Sequence, residues 1–244
     1  MTEPESTTPH TVKSFDEELD ELRTLVSQMG GLAEAQIAAA IDALVRRDRE
    51  AGLEVAANDA ALDRMESEAE ALAISIIARR SPMADDLREL VAALKISAII
   101  ERIGDYAKNI GKRASSMALS APVQPVVIIP EMGRLTASMV KDALDAYVER
   151  DARLAIDVMM RDTSVDDFYN SLFRSLLTYM MENPHHITPS AHLLFIAKNL
   201  ERIGDHATNI AEMVHFQVTG QHLVERPKAD QTPLYAETPS TDQP

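Results

Sequence analysis

Glu101-Arg-Ile-Gly-Asp-Tyr-Ala-Lys-Asn-Ile110 returns a hundred residues later as Glu201-Arg-Ile-Gly-Asp-His-Ala-Thr-Asn-Ile210, with eight of the ten positions unchanged. A repeat of this length says that one structural unit is used twice. Within each copy two acids stand four residues apart, Glu101/Asp105 and Glu201/Asp205, with Asn109 and Asn209 four further on. On a helix that spacing stacks the three side chains on one face.

The repeat extends outward from this motif. Arg47-Asp48 matches Arg150-Asp151, Asp59 matches Asp162 and Asp63 matches Asp166, all at an offset of 103. The offset falls to 100 at the motif itself, so the second half has lost three residues between its last two helices. Each half reads as three helices. In the first, Phe15, Leu19, Leu22, Val26, Met29, Ala33, Ile37, Ala40 and Leu44 recur at steps of three and four, the apolar stripe of a long amphipathic helix. Ser14 followed by Glu17 reads as a capping box at its start. A second helix is expected over about 51–80. Ser81-Pro82 then ends it and opens a third that runs to Met117, with Pro82 at the first helical position and Asp85/Asp86 in the first turn. The second half predicts helices over about 131–150, 152–182 and 189–219.

The expected fold is all-α: two tandem three-helix bundles related by the internal repeat. The expected division is a flexible N-terminal tail (1–13), a first repeat (14–120), a Pro-rich linker (121–130), a second repeat (131–219) and a disordered tail (220–244).

Composition supports a helical core. Apolar residues make up 45% of the 244, but aromatics only 4%, and Trp is absent, so Leu, Ile, Val, Ala and Met must fill the interior. Eight glycines are too few for the turns of an all-β fold, and the lack of Cys removes disulfides and thiolate sites. With 24 basic and 39 acidic residues the net charge is −15, which opposes binding to nucleic acid or anionic lipid. No stretch has the pattern of a signal peptide or a membrane span, so the expectation is a soluble, cytoplasmic protein without membrane insertion.

The aligned register exposes a second acidic pair in each half. Asp59 and Asp63 belong to the second helix of the first repeat, Asp162 and Asp166 to that of the second. Each half therefore carries two acid-x-x-x-acid pairs on two helices that should pack antiparallel. Like charges at this spacing repel by a few tenths of a kcal/mol on an exposed helix. Four carboxylates drawn together need a cation, and hard divalent or trivalent ions take such oxygen ligands. The alternative is a merely solvated acidic face, and spacing alone leaves both open. Gly104 and Gly204 cost about 1 kcal/mol each in a helix relative to Ala, and so mark either close helix packing or a ligand beside the acids.

Other chemistries find no support. A ferritin-like di-iron site needs two Glu-x-x-His motifs; Glu212/His215 supplies one, while Glu182/His185 is broken by Pro184. His185 and His186 read as solvated loop residues. There is no phosphate-binding Gly-x-x-x-x-Gly-Lys-Ser/Thr loop and no Gly-x-Ser-x-Gly elbow.

The doubled Glu-Arg-Ile-Gly-Asp-x-Ala-x-Asn-Ile motif, together with Arg80-Ser-Pro-Met-Ala-Asp-Asp-Leu-Arg88 and the two-by-three-helix plan, resembles the PhoU family of bacterial phosphate-specific transport accessory proteins. The resemblance covers roughly residues 14–220, with Ser81 standing where the family commonly has Gln. It implies a negative regulator of the phosphate-starvation (Pho) regulon and of phosphate uptake. Such a protein is a non-catalytic adaptor between the ATPase subunit of the phosphate ABC transporter and a sensor histidine kinase. It also implies metal (Fe, Mn, Mg or Zn) on acidic helix faces, here Asp59, Asp63, Glu101, Asp105, Asp162, Asp166, Glu201 and Asp205. Homodimerisation and recruitment to the inner face of the membrane by partners complete the expectation. Rival readings are a metal-dependent hydrolase built on the same carboxylates and a purely structural helical scaffold.

Overall fold

The computed structural model describes residues 8–58, 60–119 and 127–222, with side chains from Ser14 onward. The described chain forms seven α-helices: α1 (Thr8–Arg46), α2 (Arg49–Ala57), α3 (Ala60–Arg80), α4 (Asp85–Met117), α5 (Ile128–Glu149), α6 (Ala152–Glu182) and α7 (Ile187–Thr219), with a 3₁₀ turn at Pro184–His186 before α7. These make two helical bundles, α1–α4 and α5–α7, with no strand among the described residues.

The repeat register is visible in the backbone. Arg47 and Arg150 both take the left-handed conformation, at φ 56° and 55°, a position that glycine ordinarily fills at helix ends. The Asp48 N–H then reaches back to the Ala43 carbonyl and the Asp151 N–H to the Ala146 carbonyl, each at 2.9 Å. Both aspartates cap the following helix. Asp48 accepts from the Ala51 amide at 3.0 Å, and Asp151 from the Arg153 and Leu154 amides at 2.8 and 3.1 Å.

Four boundaries differ from the sequence reading. Helix α1 starts at Thr8, with Pro9 in the first turn where its missing N–H costs nothing, so Ser14 is not a cap; its hydroxyl instead accepts from Arg80 Nη2 at 2.8 Å. The helix expected over 51–80 is two, α2 and α3. Asn58 ends α2 with its N–H on the Glu54 and Val55 carbonyls, while its own carbonyl accepts from Gln36 Nε2 at 3.2 Å. Helix α4 starts at Asp85 rather than Pro82, because Ser81 and Ala84 turn through left-handed φ of 49° and 51°. Helix α5 takes residues 128–130 from the expected linker, with Pro130 in its first turn. The second repeat otherwise follows its expected bounds, α7 ending at Thr219 with Gly220 in the left-handed cap position. Residues 8–13 of the expected N-terminal tail are helical, while 1–7, 120–126 and 223–244 lie outside the described residues.

The apolar stripes of both repeats merge into one contiguous core. Helix α1 packs on α4 and on α5, and α4 packs on α7. The molecule is thus an α1/α5 layer over an α4/α7 layer, with α2 and α3 flanking one side and α6 the other. Helices α4 and α7 run antiparallel, since Tyr106 meets His206 while Arg113 meets Phe195. No described helix is long and apolar enough to cross a membrane.

Glycines set the closest helix approaches. A Cβ on Gly52 would lie 2.7 Å from the Gly111 carbonyl oxygen, and one on Gly111 would lie 2.9 Å from the Gly52 oxygen. Backbone cannot yield as a side-chain tip can, so Gly52→Ala is expected to cost about 1–3 kcal/mol by overpacking. Gly31, in the same bundle, has nothing within 4 Å of its would-be Cβ, and Gly31→Ala is expected to add up to about 1 kcal/mol. Urea denaturation of the two variants measures these opposite signs.

Candidate functional site

The acids form two separate faces, one per repeat, each on the helix pair that the repeat predicts. On the first, Asp63 of α3 and Glu101 and Asp105 of α4 share one electrostatic neighbourhood. Glu101 is held above the ordinary glutamate value first by burial, then by Asp105 and, more weakly, by Asp63 and Glu66, with Arg102 opposing. On the second face, Asp166 of α6 meets Glu201 and Asp205 of α7. Burial and then Asp205 push Asp166 up. Burial also raises Glu201, with Asp205 and Asp166 adding to it and Lys198 opposing. Asp162 lies beside Gly204, its Oδ1 3.5 Å from where a Cβ would stand. Asp59 lies outside the described residues.

Each face draws in a lysine that the motif spacing did not single out. Lys108 Nζ donates to Asp105 Oδ1 at 3.1 Å, and Lys198 Nζ sits 2.6 and 2.5 Å from the two oxygens of Glu201. The repeat equivalents of these lysines are Thr208 and Ala98, so the two faces offset their charge at different places. Glu66 was also missed; it lies three residues beyond Asp63, and its equivalent in the other repeat is Tyr169, over which Lys198 sits at 5.4 Å. Among the described residues no three Asp, Glu or His side chains are gathered into a ready ligand set. The carboxylates line a face; a cation would have to draw them together.

The glycines of the motif serve packing. A Cβ on Gly104 would lie 2.3 Å from Leu62 Cδ1, and one on Gly204 3.3 Å from Val165 Cγ1. Leu62 and Val165 are themselves equivalents at the offset of 103, so both repeats use the same close contact between neighbouring helices. The asparagines do not simply extend the acid row. Asn109 is exposed, while the Asn209 amide stands 3.2 Å from His206 Nδ1 and borders a cleft between α4 and α7. Nor is His186 merely solvated: its ring stacks on Tyr179 at 3.9 Å.

With this arrangement in view, comparison with known proteins is decisive. The model of the PhoU domain matches residues 26–114 and 129–214, one match in each bundle. The chain belongs to the PhoU family. A Caulobacter vibrioides protein named phosphate-specific transport system accessory protein PhoU homolog is 53% identical over 225 residues, covering 91% of this chain and 98% of that one. A Zymomonas mobilis protein of the same name is 50% identical over 217 residues, 89% of this chain and 92% of that one. Two solved structures share the fold. PhoU from Pseudomonas aeruginosa superposes with a TM-score of 0.81 at 37% identity, covering 85% of this chain and 100% of that one. The phosphate transport system regulatory protein PhoU from Streptococcus pneumoniae gives 0.80 at 27% identity, covering 86% and 99%. PhoU relatives thus match both repeats and nearly the whole described chain.

The raised carboxyl of Glu101 makes a pH-dependent signature. A carboxyl whose folded value is raised contributes stability that is complete below the ordinary glutamate range and is lost as pH rises through the raised value. In metal-free protein, Glu101→Gln is therefore expected to be the more stable at pH 7.5. Its advantage should disappear as pH falls and the wild-type carboxyl takes its proton, which urea melts at pH 4.5 and 7.5 would measure.

Proposed function

We propose that this chain is a negative regulator of the phosphate-starvation regulon and of phosphate uptake. It would act as a non-catalytic adaptor between the ATPase subunit of the phosphate ABC transporter and the phosphate-sensing histidine kinase. The observation that carries the reading is the correspondence, over about nine-tenths of the chain, with proteins named as accessory to phosphate-specific transport. An adaptor transmits a signal only by binding one state of its partner better than another. A difference of about 1–3 kcal/mol suffices for a graded response. The protein works in the cytoplasm as a homodimer and reaches the inner face of the membrane through its partners. Deleting the gene should raise alkaline phosphatase activity in phosphate-rich medium, and a plasmid-borne copy should suppress it. Activity that stays low in the deletion strain would overturn the regulator.

Metal on the acidic faces belongs to the same proposal. The donor chemistry fits, since every candidate ligand is a carboxylate, which suits Fe, Mn or Mg better than the nitrogen and sulfur sites that zinc commonly takes. Glu101, Asp166 and Glu201 already hold protons more tightly than free carboxyls do, partly because negative charge crowds them. Asp63, Glu101 and Asp105, with Asp59, would hold the ion on the first face; Asp162, Asp166, Glu201 and Asp205 would hold it on the second. A bound cation would supply charge neutralisation. Lys108 and Lys198, which do part of that now, would turn away. Asp105→Asn combined with Asp205→Asn is expected to lower the metal content of the purified protein, by elemental analysis, while leaving its circular dichroism unchanged. Unaltered metal content in that double variant would remove the metal role.

A further inference from the structure

The face along which α4 and α7 meet, opposite the α1/α5 layer, differs from the rest of this acidic chain. Its centre is the contact between the two motif copies. Tyr106 and His206, equivalent positions that differ between the copies, stack at 5.4 Å and 21°. The Arg202 guanidinium lies 5.8 Å over the Tyr106 ring. Arg102 and Arg202 both stand close enough to His206 to act on it electrostatically, as does Asp205 with the opposite sign.

The two ends of this seam repeat a pattern with the residues exchanged. At one end Lys95 and Ile99 of α4 face Met213 of α7 around an open cleft of about 310 Å³, with Glu212 at its border. At the other, Arg113 of α4 lies 4.1 Å over the Phe195 ring of α7 and 3.5 Å from His192 Nδ1. Position 95 corresponds to 195 and 113 to 213, so each end combines one cation with an apolar residue from the opposite helix. Residues 95–113 span about 27 Å of helix at 1.5 Å per residue.

Three of these cations, Lys95, Arg113 and Arg202, have no carboxylate within ion-pair distance among the described residues, in a chain with 39 acids against 24 bases. Arg102 reaches only Glu101, at 3.9 Å, and its side chain is 66% exposed. Phe195 is 53% exposed. Surface cations in so acidic a protein ordinarily find acidic neighbours, and exposed aromatic rings beside arginine are typical of contact surfaces.

We propose that the α4/α7 seam is a docking surface for an acidic, amphipathic segment of a partner protein. Its carboxylates would pair with Arg102 and Arg202, and its apolar residues would seat at the Ile99/Met213 cleft and on Phe195. Charge complementarity selects this occupant. A second copy laid face to face on the seam would set arginine against arginine. An anionic membrane would be repelled by the net charge of −15. The inference rests on the adaptor reading only in requiring a partner, and it leaves the acidic faces free to act separately.

Photo-cross-linking in the native host tests it. The full chain would carry p-benzoylphenylalanine at Ile99 or Phe195, with Ile74, an exposed residue of α3, as the control position. The expected result is an adduct from both seam positions and not from the control. Mass spectrometry should map it to one acidic segment of another protein, and its yield should fall at least tenfold in Arg102→Glu/Arg202→Glu. Should that double variant lose its thermal transition, Lys95→Glu/Arg113→Glu tests the same charge at the two ends. Adducts only to a second copy, to lipid or to nothing would overturn the proposal, as would a yield indifferent to both charge reversals. An acidic segment from a protein outside phosphate transport and its kinase would support the seam while overturning the adaptor's assigned partners.

Discussion

The continuous apolar interface between the two repeats is the constraint on which the structure rests. A three-helix unit of this size has stripes on its long helices that its own neighbours cover only in part. Here α1 finds α5 and α4 finds α7, so that Val26, Ile37, Ile103, Met139 and Ile203 all lie fully buried in one cluster. Burying such a side chain is worth roughly 1.5–3 kcal/mol, which makes separation of the halves far more costly than any surface interaction. The tandem repeat is therefore a thermodynamic unit, and the two acidic faces are held at fixed places on one body.

A buried carboxylate joins the halves at their edge. Glu89, on α4, is almost wholly enclosed and is gripped by Arg23 of α1 and by Arg150, the left-handed residue between α5 and α6. Tyr147 is buried beside it, and its phenol is pushed far above the ordinary value by that burial and by Glu89. An enclosed carboxylate is tolerable only when paired. Because Arg150 comes from the second repeat, the pairing ties the two bundles together at this edge. No equivalent exists on the other side: position 189, which matches Glu89 at the offset of 100 that holds along α4 and α7, is a proline.

Charge is sorted over the surface in a way that follows from the same geometry. The acids of the motif point toward α3 and α6, where they crowd one another and take up Lys108 and Lys198. The arginines next to them in sequence, Arg102 and Arg202, point along the α4/α7 seam. One turn of helix carries both, since adjacent residues lie about 100° apart on the helix. A single ten-residue motif thus lays down an acidic face and a basic seam side by side, twice.

Much of this was legible in the sequence. Periodicity gave the helices, the offset of 103 located the Arg-Asp corners and the paired aspartates, and the repeated motif named the family, because each of these depends on neighbours a few residues away or on direct self-comparison. Ends of helices were less legible where a long-range contact decides them: Gln36 binds the Asn58 carbonyl across the bundle and splits a helix that local propensity would continue. What the sequence by itself determined was an all-α repeat protein with two acidic pairs in each half. Only the tertiary structure decided that the halves share one core, that Gly104 and Gly204 receive Leu62 and Val165, and that Tyr106 meets His206 beside Arg202. Such contacts join residues tens of positions apart, and their partners are set by how helices cross, which no spacing along a single helix encodes.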